Sequence, residues 1–340
     1  MKNNYREDDL IADAVGACAR ETGLDLTVEG EGVDRKILIG RQGVGIRLDP
    51  RLMPGLSRTM AIMMTTRAEK DSDRIVVVTQ QVNRKLAGLL RQYGIQFMDE
   101  AGNVYLNQPP LFVFVKGNIR EEPPRGPVIG RIFKKTGLKV LFALLCNPGM
   151  EQEPYRAIAA GTGVALGMVN RVFQELKEQG FLLETAEGRR RKARLVDRDK
   201  LLERWIAAFG EELRPKLLIG RYRGRDEWWE GVELDPALAQ WGGEMAAARL
   251  TGQLKPQDIL LYVNHPLYAS ILREHRLVKD PAGDVMLLAR FWNPQAVPPQ
   301  GDHVHPILVY ADLMATGDQR NLEAARRIYE THIIQLVRPA

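Results

Sequence analysis

The stretch Pro154–Val196, PYRAIAAGTGVALGMVNRVFQELKEQGFLLETAEGRRRKARLV, decides the fold of the middle of the chain. Its proline opens a short apolar helical pattern that ends at Gly161, and proline is favoured in the first turn of a helix. After a turn through Gly163, the spacing of apolar residues predicts a longer helix over Ala165–Gln179, closed by Gly180. Two helices joined by a tight glycine turn are typical of a helix-turn-helix unit.

The residues around this pair complete a larger motif. Phe133–Cys146 predicts a helix before the pair, and residues 199–209 predict another after the stretch. Residues 181–184 and 193–196 are short strand patterns on either side of a polar turn. Three helices followed by a β-hairpin predict a winged helix-turn-helix, which we place at residues 126–212.

The longer helix has two distinct sides. Apolar residues that recur at helical spacing should face the core, namely Val169, Val172, Phe173 and Leu176. The other side then carries Leu166, Gly167, Asn170, Arg171, Gln174 and Lys177. In a helix-turn-helix this side enters the major groove, where Asn and Gln can bind adenine and Arg can bind guanine or a phosphate. A polar face exposed only to water is the alternative.

The predicted hairpin carries a run of cations at its tip. Five basic residues lie within six positions, Arg189, Arg190, Arg191, Lys192 and Arg194. Cations packed this closely repel one another unless an anion lies opposite, and a phosphate backbone is such an anion. The run therefore predicts a contact between the hairpin and DNA, although a charge run can also be only a solvated loop.

The charge of the whole chain is concentrated in its middle third. The sequence has 340 residues and a formal net charge of +5. The first and last thirds are neutral and acidic, whereas residues 116–225 are strongly basic. This distribution is typical of a polyanion-binding module. The sequence has 45% hydrophobic and 27% charged residues, and it shows neither an apolar run of membrane length nor a signal peptide. Its only cysteines are Cys18 and Cys146. We therefore expect a cytoplasmic protein without disulfides.

The two flanking regions both predict mixed α/β domains. In residues 1–120, the buried run Ile75–Val78 is followed by a helix and a returning strand, as in a crossover. A proline-rich linker, Glu121–Pro127, separates this region from the winged helix, and residues 216–340 form the third predicted domain. The expected fold class is therefore α/β and multidomain.

Two enzymatic functions are alternatives to DNA binding. A metal-dependent nuclease could use Asp34, Asp49 and Asp99, but this region has no Glu-x-Lys strand of the kind such sites commonly contain. A metal site could form at His303 and His305, but an ordinary loop leading into a buried strand at residues 307–310 is the simpler interpretation. We expect no cofactor, no metal and no catalytic residues.

Three separated segments together resemble a known family. They are YGIQFMDEAGNVYL (Tyr93–Leu106), WGGEMAAARLTGQLKPQDILLYV (Trp241–Val263) and HPILVYADLMATGDQRNLEAARRIYE (His305–Glu330). In this order they resemble the AbiEi-type antitoxins, transcriptional regulators of bacterial type IV toxin–antitoxin or abortive-infection systems.

The resemblance implies a repressor that binds double-stranded operator DNA of its own operon through the winged helix. It also implies that the C-terminal domain antagonises a nucleotidyltransferase toxin without a stable complex, and that the N-terminal region is a restriction-endonuclease-like domain that has lost its chemistry. A homodimer is among the expected assemblies, and no membrane is expected as a partner. A C-terminal domain that serves chiefly as a protein-interaction module is a further alternative.

Overall fold

The computed structural model describes residues 7–41, 44–66, 72–119, 131–187 and 190–338. The chain forms two compact units, residues 1–129 and 130–340. The predicted linker, Glu121–Pro127, lies outside the described residues. The separation of 126–212 from 216–340 stays a prediction, because the boundary between them falls inside the second compact unit, residues 130–340.

The first unit is built on a seven-stranded sheet in which the strands follow their order in the chain. The strands are β1 (Asp25–Glu29), β2 (Lys36–Arg41), β3 (Val44–Leu52), β4 (Ile75–Thr79), β5 (Gln96–Asp99), β6 (Val104–Gln108) and β7 (Leu111–Val115). The middle strands β3, β4 and β5 are parallel, and the pairs toward both edges are antiparallel. In the described part of this unit, the helices that accompany the sheet are α1 (Glu7–Thr22), α2 (Arg58–Thr66) and α3 (Arg84–Gln92).

The sheet of the first unit has a separate apolar core on each face. One core joins α1 to Val76 and Val78, and the other joins α2 and α3 to Val77. Because side chains alternate along a strand, the continuous run Ile75–Val78 serves both cores, as its sequence predicts. The mixed α/β architecture is thereby confirmed, while the likeness to a restriction-endonuclease fold stays a prediction.

The second unit begins with helices and a hairpin. Its helices are α4 (Lys135–Cys146), α5 (Tyr155–Thr162), α6 (Leu166–Glu178), α7 (Arg198–Ala208), α8 (Arg214–Leu217), α9 (Gly243–Thr251), α10 (Tyr268–Glu274), α11 (Pro306–Thr316), α12 (Gln319–Ile328) and α13 (Ile334–Val337). Its strands are β8 (Leu182–Glu187), β9 (Arg190–Leu195), β10 (Leu218–Arg223), β11 (Ala239–Gly242), β12 (Ile259–Val263), β13 (Val278–Lys279) and β14 (Val285–Ala289). Strands β8 and β9 form an antiparallel pair of their own.

Helix α5 continues past the glycine that was expected to end it. Gly161 lies inside the helix, and Gly163 follows as its cap with a φ of 65°. This left-handed conformation favours glycine, because a Cβ atom is strained there. The turn between α5 and α6 is therefore set by Gly163, and the stop expected at Gly161 is two residues too early.

The remaining strands form a five-stranded sheet in the order β11-β12-β14-β10-β13. Aromatic side chains join this part of the second unit to its first helices, since the ring centroid of Phe142 lies 5.1 Å from that of Phe291 and 6.0 Å from that of Trp292. The strand expected at residues 307–310 is wrong, because Pro306–Thr316 is helix α11. A helix buried on all sides has the same apolar run as a buried strand.

Candidate nucleic-acid interface

Helix α6 separates its apolar and polar residues cleanly. Val169, Val172, Phe173 and Leu176 are all fully buried. The residues expected on the other side are exposed, namely Leu166, Gly167, Asn170, Arg171, Gln174 and Lys177. The burial of the helix therefore agrees with the two sides predicted from its sequence, whereas contact with DNA stays a prediction.

Two amide side chains on the exposed side of α6 make local hydrogen bonds. Asn170 Nδ2 donates to the Leu166 carbonyl at 3.1 Å, and Gln174 Nε2 donates to Glu178 Oε1 at 3.0 Å. Both bonds are exposed to solvent, so exchanging them for bonds to a base edge would cost little. The Arg171 side chain is exposed in the same row.

The register of the hairpin places alternate cations on its outer face. Arg194 pairs with Leu183, Lys192 with Thr185, and Arg190 with Glu187. Ala193 and Leu195, between these positions, are buried. Because side chains alternate along a strand, Lys192 and Arg194 point away from the core, and both are exposed.

Part of the predicted cation run lies beyond what the structure describes. Arg189 lies outside the described residues, and only the backbone of Arg190 and Arg191 is described. Their proposed contacts with phosphate therefore stay predictions from the sequence.

An ion pair joins the exposed end of α6 to the hairpin. Lys177 Nζ pairs with Glu184 Oε2, across the short connection between α6 and β8. The position of Glu184 gave no functional signal in the sequence. Its contact with Lys177 means that one of the two predicted helix cations, Arg171 and Lys177, is already partly neutralised.

A second, buried ion pair supports the base of the hairpin. Arg198 Nη1 lies 3.5 Å from Glu151 Oε1, and each side chain is only 5% exposed. Arg198 Nη2 also donates to the Leu144 carbonyl at 2.8 Å, and the Leu195 amide donates to Glu151 Oε1 at 3.3 Å. Burial lowers the pKa of Arg198, against the opposite effect of Glu151. The pair links α4, β9 and α7.

The carboxylates weighed for a nuclease do not form a cluster. Asp49 pairs with Lys36. Both oxygens of Asp99 accept hydrogen bonds from the turn around them, from the Val82 amide at 2.6 Å and from the Asn103 amide at 2.8 Å, among others. Within the described part of the chain, no three His, Cys, Asp or Glu side chains are grouped so that they could hold a metal ion.

The histidine pair has a structural role at the start of α11. His305 caps this helix, and its Nδ1 accepts a hydrogen bond from the Ile307 amide at 3.2 Å. Burial, and to a lesser extent the neighbouring His303, lower the pKa of His305 to about 4. A neutral ring is what the cap requires, because a protonated Nδ1 cannot accept.

The second and third resemblance segments meet around a buried carboxylate. Glu244, at the start of α9, accepts from Arg320 Nη2 at 2.8 Å and from Asn321 Nδ2 at 2.8 Å. Asp318 caps α12 by accepting a hydrogen bond from the Arg320 amide. The motif residues thus form a contact that fixes α9 against α12.

A further buried group joins the same segments. Asp312 Oδ1 accepts from Arg214 Nε and from the Tyr262 hydroxyl, each at 3.0 Å. Burial raises the pKa of Asp312, although Arg214 acts in the opposite direction. Sequence reasoning did not single out this contact, since its three members are widely separated in the chain.

Among the described helices, none has the length and apolar character needed to cross a bilayer. Comparison with protein families gave a match over residues 194–334 to the family described as transcriptional regulator, AbiEi antitoxin, type IV toxin–antitoxin system. The match contains the second and third resemblance segments and so confirms the resemblance over these residues. Neither the comparison with curated proteins nor that with solved structures gave a match.

Proposed function

We propose that the protein is a sequence-specific DNA-binding transcriptional regulator of the AbiEi antitoxin type. The observation that carries this proposal is the exposed polar side of α6 next to a hairpin with outward cations. The family match over residues 194–334 supports it independently, because the matched family is one of transcriptional regulators.

In the proposed complex, helices α4, α5 and α6 with strands β8 and β9 act as a winged helix-turn-helix. Helix α6 lies in the major groove, where Asn170, Arg171 and Gln174 read base edges. Lys192, Arg194 and the cations of the hairpin tip hold the phosphate backbone and set the position of α6. Because α6 contacts bases and the hairpin contacts phosphates, substitutions in α6 should change the sequence preference. Substitutions in the hairpin should instead weaken binding to all sequences.

The sequence preference of the helix tests this proposal. DNA selected from a random duplex pool by the full protein is compared with DNA selected by the Asn170→Ala/Gln174→Ala variant. We expect the variant to lose preference at one or two base pairs, at about 1–3 kcal/mol each. The control Arg273→Ala, an exposed residue on α10, should select the same sequence as the parent. An unchanged preference in the helix variant contradicts the proposal.

We also propose that the protein represses its own operon and antagonises a nucleotidyltransferase toxin without forming a stable complex with it. The support is the family match, which covers the sheet of the second unit and α9 to α12. The test is growth of cells that express the neighbouring gene product with and without this chain. Rescue of growth, without co-purification of the two proteins, is the expected result, and toxicity unaffected by this chain would contradict it.

A further inference from the structure

The first unit has a compact surface of cations and aromatic rings that the winged helix does not use. It is formed by exposed cations of α3, by alternate residues of β7 and by the residue directly after that strand, and we name it the Arg91 face. Its members are Arg84, Lys85, Arg91, Phe112, Phe114 and Lys116.

The rings and cations of the Arg91 face are in direct contact. The Arg91 guanidinium lies 4.7 Å from the ring centroid of Phe114 and 5.7 Å from that of Phe112. Lys116 Nζ lies 5.3 Å from the centroid of Phe114. Cation–π contacts of this kind hold a guanidinium in place without neutralising it.

The contact of Arg84 with the end of β7 completes the face. A Cβ atom on Gly117 would lie only 2.7 Å from Arg84 Nε, so the guanidinium packs directly against the turn that follows β7. Helix α3 packs on the sheet through Leu86, Ala87 and Leu90. Its other side therefore presents cations beside the strand.

The exposed charged side chains between residues 80 and 119 are all positive. Residues 80–98 and 104–119 contain four basic side chains and no Asp or Glu. The two carboxylates between these ranges, Asp99 and Glu100, are both buried, and Asp99 accepts hydrogen bonds from the backbone amides of Val82, Ala101 and Asn103 and from the Asn103 side chain. The face therefore attracts an anion.

One ring of the face is open to a planar partner. Phe112 is 57% exposed and lies on β7, the last strand in the sheet order. A large aromatic ring exposed among cations is the arrangement by which proteins hold an unpaired nucleotide, with the base stacked on the ring and the phosphates on Lys or Arg. In a duplex the bases are stacked on one another and do not offer a free face.

We propose that the Arg91 face binds single-stranded nucleic acid. A base stacks on Phe112, Arg91 supports the ring and contacts the strand, and Arg84, Lys85 and Lys116 contact phosphates. The first unit thereby adds a second nucleic-acid contact to a chain in which α6 and the hairpin of the second unit are proposed to bind duplex DNA.

The proposal is tested with the full chain by fluorescence anisotropy, using labelled 12-nucleotide oligo-dT, oligo-U and a duplex. Phe112→Leu should weaken binding to the single strands about tenfold, because it keeps an apolar side chain but removes the ring. Phe112→Trp should bind at least as well as the parent. The matched control is Arg20→Ala, an exposed cation on α1, the helix on the opposite face of the sheet, and should bind as the parent does.

The cations are tested through salt dependence. The variant Arg84→Ala/Lys85→Ala/Lys116→Ala lacks three of the proposed phosphate contacts. The fall of log affinity for single strands with log salt should therefore become less steep by about 2. A preference for oligo-dT or oligo-U identifies the natural strand as DNA or RNA.

No single-strand binding at low salt, or equal binding by the parent, Phe112→Leu and Phe112→Trp, would overturn the proposal. If Phe112→Leu instead weakens only self-association of the chain, or only its binding to an acidic peptide, the Arg91 face is a protein interface. That result would also overturn the proposal. Binding of the same variant to an operator duplex depends on α6 and the hairpin. This second measurement therefore distinguishes a failure of the single-strand proposal from a failure of the proposed duplex binding.

Discussion

At the scale of single residues, His305 links acidity to stability. The unfolded chain takes up a proton on this histidine near pH 6.5, but the folded chain does so only near pH 4, because burial lowers the pKa. The unfolded state therefore binds more protons between these values, and the free energy of unfolding falls as the pH drops through this window. The contribution of this group is at most about 3 kcal/mol.

Thermal unfolding at a series of pH values measures this effect. The variant His305→Asn keeps a side-chain acceptor for the start of α11 but has no group that titrates. We expect the melting temperature of the parent to fall more steeply than that of the variant between pH 6.5 and pH 4. Parallel curves would show that His305 does not carry the pH dependence.

The ion pair beneath the hairpin should be more important for stability than any surface pair. Glu151→Gln leaves the charge of Arg198 buried with its carboxylate partner removed, and such changes cost about 3–5 kcal/mol. Denaturation with urea gives the difference in the free energy of unfolding. Glu274→Gln, an exposed position on α10, is the matched control and should change it by less than about 0.5 kcal/mol. An equally small effect of Glu151→Gln would show that the pair is not structurally important.

At the scale of elements, α6 was the most predictable part of the molecule. Its amphipathic spacing gave the buried residues from Val169 to Leu176 correctly, because a helix of this length on a domain surface has only one way to bury an apolar stripe. Helix α11 was not predictable as a helix from its apolar run alone. Its burial on every side removes the periodicity that distinguishes a helix from a strand.

The long-range contacts beside the candidate site and in the C-terminal part of the second unit could not be predicted, for a different reason. Glu151 and Arg198 are separated by 47 positions, and Asp312 and Tyr262 by 50. No local pattern identifies such pairs, since only the tertiary fold brings them together. Glu184 is a similar case, because its effect on Lys177 depends on the turn between α6 and β8.

The pair between Lys177 and Glu184 leads to a prediction for the helix and hairpin together. Glu184→Gln removes a negative charge beside the proposed DNA surface, so Lys177 should interact more strongly with phosphate. We expect duplex affinity to rise about two- to fivefold at low salt, with a change in stability below about 1 kcal/mol. The corresponding change at a distance, Glu274→Gln, should leave affinity unaltered. Weaker binding by Glu184→Gln would show that the pair positions α6 rather than competing with DNA.

At the scale of the whole molecule, the division at residues 129 and 130 gives two units, each with its own sheet. The two proposed nucleic-acid contacts lie on different units, so they should be separable. A fragment of residues 131–340 is expected to fold, to bind the selected duplex like the full chain and to lose single-strand binding. Circular dichroism and anisotropy provide the measurements. Loss of duplex binding by a folded fragment would mean that the first unit is part of the duplex reader.

The salt dependence of duplex affinity measures whether the helix and hairpin of the second unit bind duplex DNA. Lys192→Ala/Arg194→Ala removes two outward cations of β9. The fall of log affinity with log salt should therefore become less steep by about 2, for all DNA sequences alike. We expect the hairpin variant to show this weaker salt dependence and Arg273→Ala to keep that of the parent. Binding at 150 mM salt with the parental slope in the hairpin variant would contradict it.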